Sequence, residues 1–79
     1  MSMEDLRRLL SECAPAVDWM TLEPEAPAAM NSLDVIVFIA RLYDEYRIAV
    51  PSELLKRENF ASLNAIWRLC ERLNGGKRA

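Results

Sequence analysis

A helix written with apolar residues on two opposite faces limits what a chain of 79 residues can become, and the stretch from Ser32 to Tyr46 is such a helix. At about 100° per residue, Val35, Phe38, Ile39, Leu42 and Tyr46 share one face. Leu33, Ile36, Val37 and Ala40 fall almost opposite, with Asp44 below them. A small core can absorb one of these faces. The other is expected to stay open as a docking surface, since a helix buried all round belongs to larger cores. The competing reading is that the first and last helices cover both sides. The stretch emerges from a segment holding Pro24 and Pro27, where no regular element is expected. Asn31 or Ser32 can cap it, because either side-chain oxygen can accept a first-turn amide. Asp34 adds a carboxylate where the helix dipole favours one. A serine hydroxyl therefore sits where an irregular loop turns into a helix.

Prolines and small polar residues mark out the remaining elements, and helices are expected at about 2–14, 32–46, 52–57 and 62–73. Ser2 opens the first, with Asp5 three residues on completing a capping box. Leu6, Leu9, Leu10 and Cys13 form its apolar stripe, and Glu4, Arg7, Arg8, Ser11 and Glu12 lie mostly on the other side. Pro15 stops it. Residues 15–31 form a long connection in which Val17, Trp19, Met20 and Leu22 are apolar enough to pack back onto a bundle. After Tyr46, Ile48 and Val50 alternate toward the core and Pro51 blocks further helix. Ser52 is expected to cap a short third helix anchored by Leu54 and Leu55, with Phe60 plugging the gap to the last helix. Ser62 caps that last helix, whose stripe is Leu63, Ile66, Trp67, Cys70 and Leu73. Asn74-Gly75-Gly76 is expected to end it, leaving a frayed tail over 75–79. The fold class read from this pattern is all-α, a single domain over 1–79 built as a small four-helix bundle with a long first loop and a short third helix.

Composition narrows the functions open to such a bundle. The net charge is −2, so nothing recommends a nucleic-acid partner, which needs a basic face. No apolar run approaches the ~20 residues of a membrane span, and the Met-Ser-Met-Glu-Asp start lacks a secretion signal, so a cytoplasmic monomer is expected. There is no histidine, and Cys13 and Cys70 stand alone at apolar helical positions. A zinc cluster and a Cys-His nucleophile are thereby excluded, and two buried free thiols are expected in place of a disulfide. Gly75 and Gly76 follow the last helix and cannot open a phosphate-binding turn. A nucleophilic serine would need a base, and Lys56 and Lys77 lie in polar surroundings that give no reason for a depressed pKa. The chain is not expected to be an enzyme.

The residues Asn31-Ser32-Leu33-Asp34 resemble the modification site of the acyl carrier protein superfamily, commonly Gly-x-Asp-Ser-Leu followed by Asp at the start of the second helix. Here Asn31 replaces the Asp and Ala29 stands where Gly is usual. The resemblance runs from about Leu6 to Leu73. Between Pro51 and Ser62, the length together with Arg57-Glu58, Phe60, Asn64 and Ile66 is similar to D-alanyl carrier proteins. Membership would imply a four-helix fold of acyl-carrier type and a phosphopantetheine arm attached covalently to Ser32. That arm's thiol would carry acyl or aminoacyl groups as thioesters in a fatty-acid, polyketide, non-ribosomal peptide or D-alanyl pathway. Asn31, Leu33, Asp34, Ile36, Val37 and Ala40 would form the recognition surface. Its partners would be a phosphopantetheinyl transferase, an acyl- or aminoacyl-loading enzyme and downstream transferases. Where relatives often place Glu, this chain has Val37, Tyr43 and Asp44, so docking is expected to rely more on apolar contact than on charge. The departures at Ala29 and Asn31 leave a second class open, an unmodified helical adaptor that acts only by docking through the second helix.

Overall fold

The computed structural model describes residues 1–78, with side chains through Asn74. Three α-helices are present, α1 (Met3–Cys13), α2 (Ser32–Tyr46) and α3 (Leu63–Arg78), and two 3₁₀ turns, Ser52–Leu54 and Arg57–Phe60, lie between α2 and α3. The architecture of the described residues is all-helical, as the periodicity implies. Its regular contacts are α1 against α2, α1 against α3, and the second 3₁₀ turn against α3.

Local chemistry starts each helix where the sequence places it. Ser2 Oγ accepts the Asp5 amide at 3.1 Å and Asp5 Oδ2 accepts the Ser2 amide at 3.0 Å, the reciprocal pair that satisfies two orphan donors. Those bonds hold the Asp5 carboxyl below its ordinary value. Ser62 Oγ accepts the Ala65 amide at 3.1 Å at the head of α3. The far end of α2 is less ordinary. Arg47 closes it in the left-handed region, φ 55° and ψ 32°, donating its amide to Tyr43 O at 2.9 Å with its guanidinium 5.4 Å from the Tyr43 ring centre. Neither Gly nor Asn marks that turn, so an arginine bears the backbone strain.

The core is the sum of the stripes. Leu6, Leu9, Leu10 and Cys13 of α1, Phe38 and Leu42 of α2, and Leu63, Ile66 and Cys70 of α3 are buried. Ile48 and Phe60 join them from the connectors, and Leu69 adds a residue outside the expected stripe. Trp67 and Leu73 are only half-buried at its margin. Cys13 and Cys70 are buried free thiols, and burial pushes Cys70 up to about 12 and Cys13 upward. A thiol pKa raised in the folded state gives stability that is intact below the unfolded value and drains away as pH rises through the folded one. Unfolding midpoints are therefore expected to fall from about pH 9 toward 12, and Cys70→Ala should flatten that decline. A thiol reagent at neutral pH should modify Cys70 only at the rate of global opening; immediate labelling of the native protein would contradict its burial.

Three expectations need correction. Met20 does not pack back on the bundle but is half exposed, although Trp19 beside it is completely buried and Val17 and Leu22 pack against the core. The third helix expected at 52–57 is replaced by the two 3₁₀ turns. No side chain caps the first of them; Pro51, not Ser52, occupies the cap position. Asn59 Nδ2 donates to the Leu54 carbonyl at 2.8 Å, a local side-chain bond that competes with helix continuation, and Leu55 turns outward while Leu54 stays at the core margin. Finally, α3 continues to Arg78, past the stop expected at residue 73. Glycine costs a helix only about 1 kcal/mol, too little to end one by itself. Ala79, at the end of the expected tail, lies outside the described residues.

The long loop is held at both ends, which fixes the entry into α2. Arg7, expected on the solvent side of α1, donates Nη1 to the carbonyls of Trp19 at 2.5 Å and Leu22 at 3.0 Å. Trp19 Nε1 donates to Ala14 O at 2.9 Å. Further on, Asn64 N donates to Pro24 O at 2.9 Å and Ala28 N to Ala61 O at 2.8 Å, sewing residues 24–28 to the head of α3. A charged donor shared between partly buried carbonyls is worth about 1.5–3 kcal/mol in mutational comparisons. Arg7→Ala is expected to cost about 2 kcal/mol in urea unfolding, whereas a loss within error would show that water replaces the guanidinium freely.

Candidate functional site

The site is built on the first turn of α2. Asn31 holds the cap position with φ −91° and ψ 175°; its Oδ1 accepts the Asp34 amide at 2.8 Å, and Asp34 Oδ2 accepts the Asn31 amide at 3.3 Å. Asn31 O takes the Val35 amide at 3.1 Å. The N–H groups of Ser32 and Leu33 are left without a partner among the described residues, as expected for the first positions of a helix.

This division of labour frees Ser32. The capping role open to either residue falls to Asn31, and the Ser32 side chain is exposed and bonded to no described residue. The other serines make an instructive comparison. Ser2 and Ser62 are caps, and Ser11 donates to the Arg7 carbonyl at 2.8 Å. Ser52 also has no hydrogen bond from its side chain, but it opens only a three-residue 3₁₀ turn. Among the described residues Ser32 alone is an unbonded hydroxyl at the start of an α-helix.

The two faces of α2 separate as the periodicity requires. Phe38 and Leu42 are fully buried, with Val35, Ile39 and Tyr46 packed against the core. Leu33 and Ile36 are 68% and 63% exposed, Val37 is 38% exposed, and Ala40 is exposed as well. Asp34, half-buried, is committed to the capping box. Arg41, at the edge of the core face, bridges Glu12 of α1 at 2.6 Å and also pairs with Glu45 one turn on. Helix α1 packs against one side of α2, and the other side is left to solvent.

A cleft of about 780 Å³ adjoins Ser32, and no sequence pattern announced it. One wall is the start of α2, with Met30, Ser32, Val35 and Ile36; the other is the segment carrying Leu55, Lys56, Arg57 and Phe60. The Ala28–Ala61 hydrogen bond ties the two walls together at their base. The contact joins residues 33 apart in the chain, so only the folded loop creates the cleft. The nearest signal in the sequence is the adjacent pair Lys56-Arg57 inside an otherwise apolar stretch.

An anion would be received well beside Ser32. Two unsatisfied N–H groups and the positive end of the α2 dipole both favour negative charge there. No group of metal-ligating side chains occurs among the described residues, and no helix is long and apolar enough to cross a membrane. Comparison of the chain with protein-family models, with curated proteins and with solved structures finds no match to any of them.

The cap can be varied without touching Ser32. Asn31→Asp keeps an acceptor at the cap and adds charge at the helix start, worth roughly 0.3–1 kcal/mol at most. The melting temperature of the variant should therefore change little, and a large drop would show that the Asn31 side chain does more than cap the helix.

Proposed function

We propose that the chain is a carrier protein in which Ser32 holds a phosphopantetheine arm and ferries acyl or aminoacyl groups, as thioesters, between partner enzymes. The observation that carries this reading is the unbonded Ser32 hydroxyl, released from capping by Asn31 and set at the mouth of the cleft. A serine whose only purpose was to start a helix would be engaged with its backbone, as Ser2 and Ser62 are.

The residues fit the group. Ser32 Oγ would be the attachment atom, and the Ser32 and Leu33 amides would face its phosphodiester. The arm, when bound, supplies a thiol whose thioester is activated for acyl transfer. The protein's own part is recognition: Leu33, Ile36, Val37 and Ala40 offer an apolar docking surface, and Asn31 and Asp34 fix the turn that presents the serine. Three α-helices with two 3₁₀ turns between α2 and α3 are compatible with a small carrier bundle whose third helix is short. Activation, loading and transfer would fall to separate enzymes: a phosphopantetheinyl transferase, a loading enzyme and downstream transferases. The expected state is a monomer, and the two free buried thiols suit a reducing compartment such as the cytoplasm.

Incubation with coenzyme A and a broad-specificity phosphopantetheinyl transferase, followed by intact-mass measurement, tests the reading. A gain of one phosphopantetheine is expected. An unchanged mass alongside complete modification of a control carrier would favour the adaptor, which needs only the exposed face of α2.

A further inference from the structure

The cleft beside Ser32 has a charge character that the carrier reading alone does not explain. Its lining includes two cations, Lys56 and Arg57, and no carboxylate. Two arginines elsewhere are in ion pairs, Arg8 with Glu4 and Asp5, and Arg41 with Glu12 and Glu45. Lys56 and Arg57 are exposed and in no ion pair with a described residue, although Glu53 and Glu58 lie close in sequence. Met30, Val35, Ile36 and Phe60 add apolar side chains to the same lining. A ligand complementary to this surface has an apolar body and an anionic end.

We propose that the cleft seats the carried group and prefers an acyl chain that ends in a carboxylate. This rests on the carrier reading for its cargo. A phosphodiester bonded to Ser32 Oγ would stay at the start of α2 beside the free amides. The cations stand on the wall formed by the 55–57 segment, where they meet what lies further along the chain. A tether raises the local concentration of its own cargo to the millimolar range, so weak affinity is enough to populate the seated state.

The test uses free ligands, so it does not depend on attachment. S-Adipoyl-pantetheine and S-hexanoyl-pantetheine have acyl chains of equal carbon number and differ in the terminal carboxylate; neither carries phosphate. Each is titrated into the ¹⁵N-labelled full chain and followed by the amide shifts of Ile36, Leu55 and Lys56. Exposed ion pairs contribute up to about 1 kcal/mol each, or roughly fivefold, and are screened by salt. The adipoyl ligand is expected to bind about fivefold more tightly. That preference should shrink at high salt and vanish or reverse in the double variant K56E/R57E, with hexanoyl binding held within twofold. Equal affinities, a preference that survives the double variant, or no shift with either ligand at about 10 mM would each overturn the proposal. So would a gain seen only with S-hexanoyl-4′-phosphopantetheine and lost in the double variant, since that assigns the cations to the arm's phosphate. A retained preference in a chain that no transferase modifies would remove the carrier reading while leaving the cleft's selectivity standing.

Discussion

Phe38→Asp is expected to unfold the domain, while Ile36→Asp, two residues away on the same helix, should leave it folded and disable it. Phe38 is completely buried and Ile36 is 63% exposed. A domain of 79 residues commands roughly 4–12 kcal/mol of stability. Losing a buried phenyl ring costs about 3–5 kcal/mol, and an unpaired buried carboxylate adds several more. Together these consume most or all of the total, and far-ultraviolet circular dichroism should report a largely unfolded chain. At Ile36 little apolar area is lost, and a carboxylate in the second turn of α2 suits the dipole. Its melting temperature should stay within a few degrees of wild type. Arm transfer to Ile36→Asp should nevertheless slow about tenfold or more, because the charge falls in the centre of the proposed docking face. Folded Phe38→Asp together with unfolded Ile36→Asp would mean that the faces of α2 are assigned the wrong way round.

The parts of the structure written in nearest-neighbour chemistry were legible in the sequence. The bounds of α2, the Ser2–Asp5 capping pair, the Ser62 cap and the two faces of α2 all depend on residues three or four apart, where periodicity and capping act. Even there one choice stayed open: Asn31 and Ser32 are both competent caps, and only the folded backbone assigns the role to Asn31. What was not legible depends on distant partners. Arg7 is unremarkable on a helical wheel, and its function comes from carbonyls 12 and 15 residues away. Met20 and Trp19 look equally suited to burial, but the Trp19 Nε1 bond to Ala14 O decides which one turns inward. The 52–60 segment reads as a short helix until Asn59 claims the Leu54 carbonyl. The cleft draws its lining from segments far apart in the chain, among them Ala28 and Ala61, which are joined by a hydrogen bond.

The site inherits that mixture. Ser32 and the apolar face belong to a single helix and could be named from the sequence. Lys56 and Arg57 come to the cleft through the long loop and the 3₁₀ turns, and no local pattern links them to Ser32. The loop's anchoring therefore shapes the cleft as well as the fold: Ser32 and the 55–57 segment line the same space.

Comparing arm transfer to wild type and to Ser32→Ala tests the central claim most directly. Both proteins are incubated with coenzyme A and the transferase, and the intact masses are followed by fragmentation to locate any addition. Ser32→Ala removes a hydroxyl that caps nothing, so folding should be unaffected, and circular dichroism checks that it is. The expected result is one phosphopantetheine on wild type, located at Ser32, and none on the variant. Addition to Ser2, Ser11, Ser52 or Ser62, or an equal gain on a folded Ser32→Ala protein, would contradict the assignment of Ser32 as the attachment site.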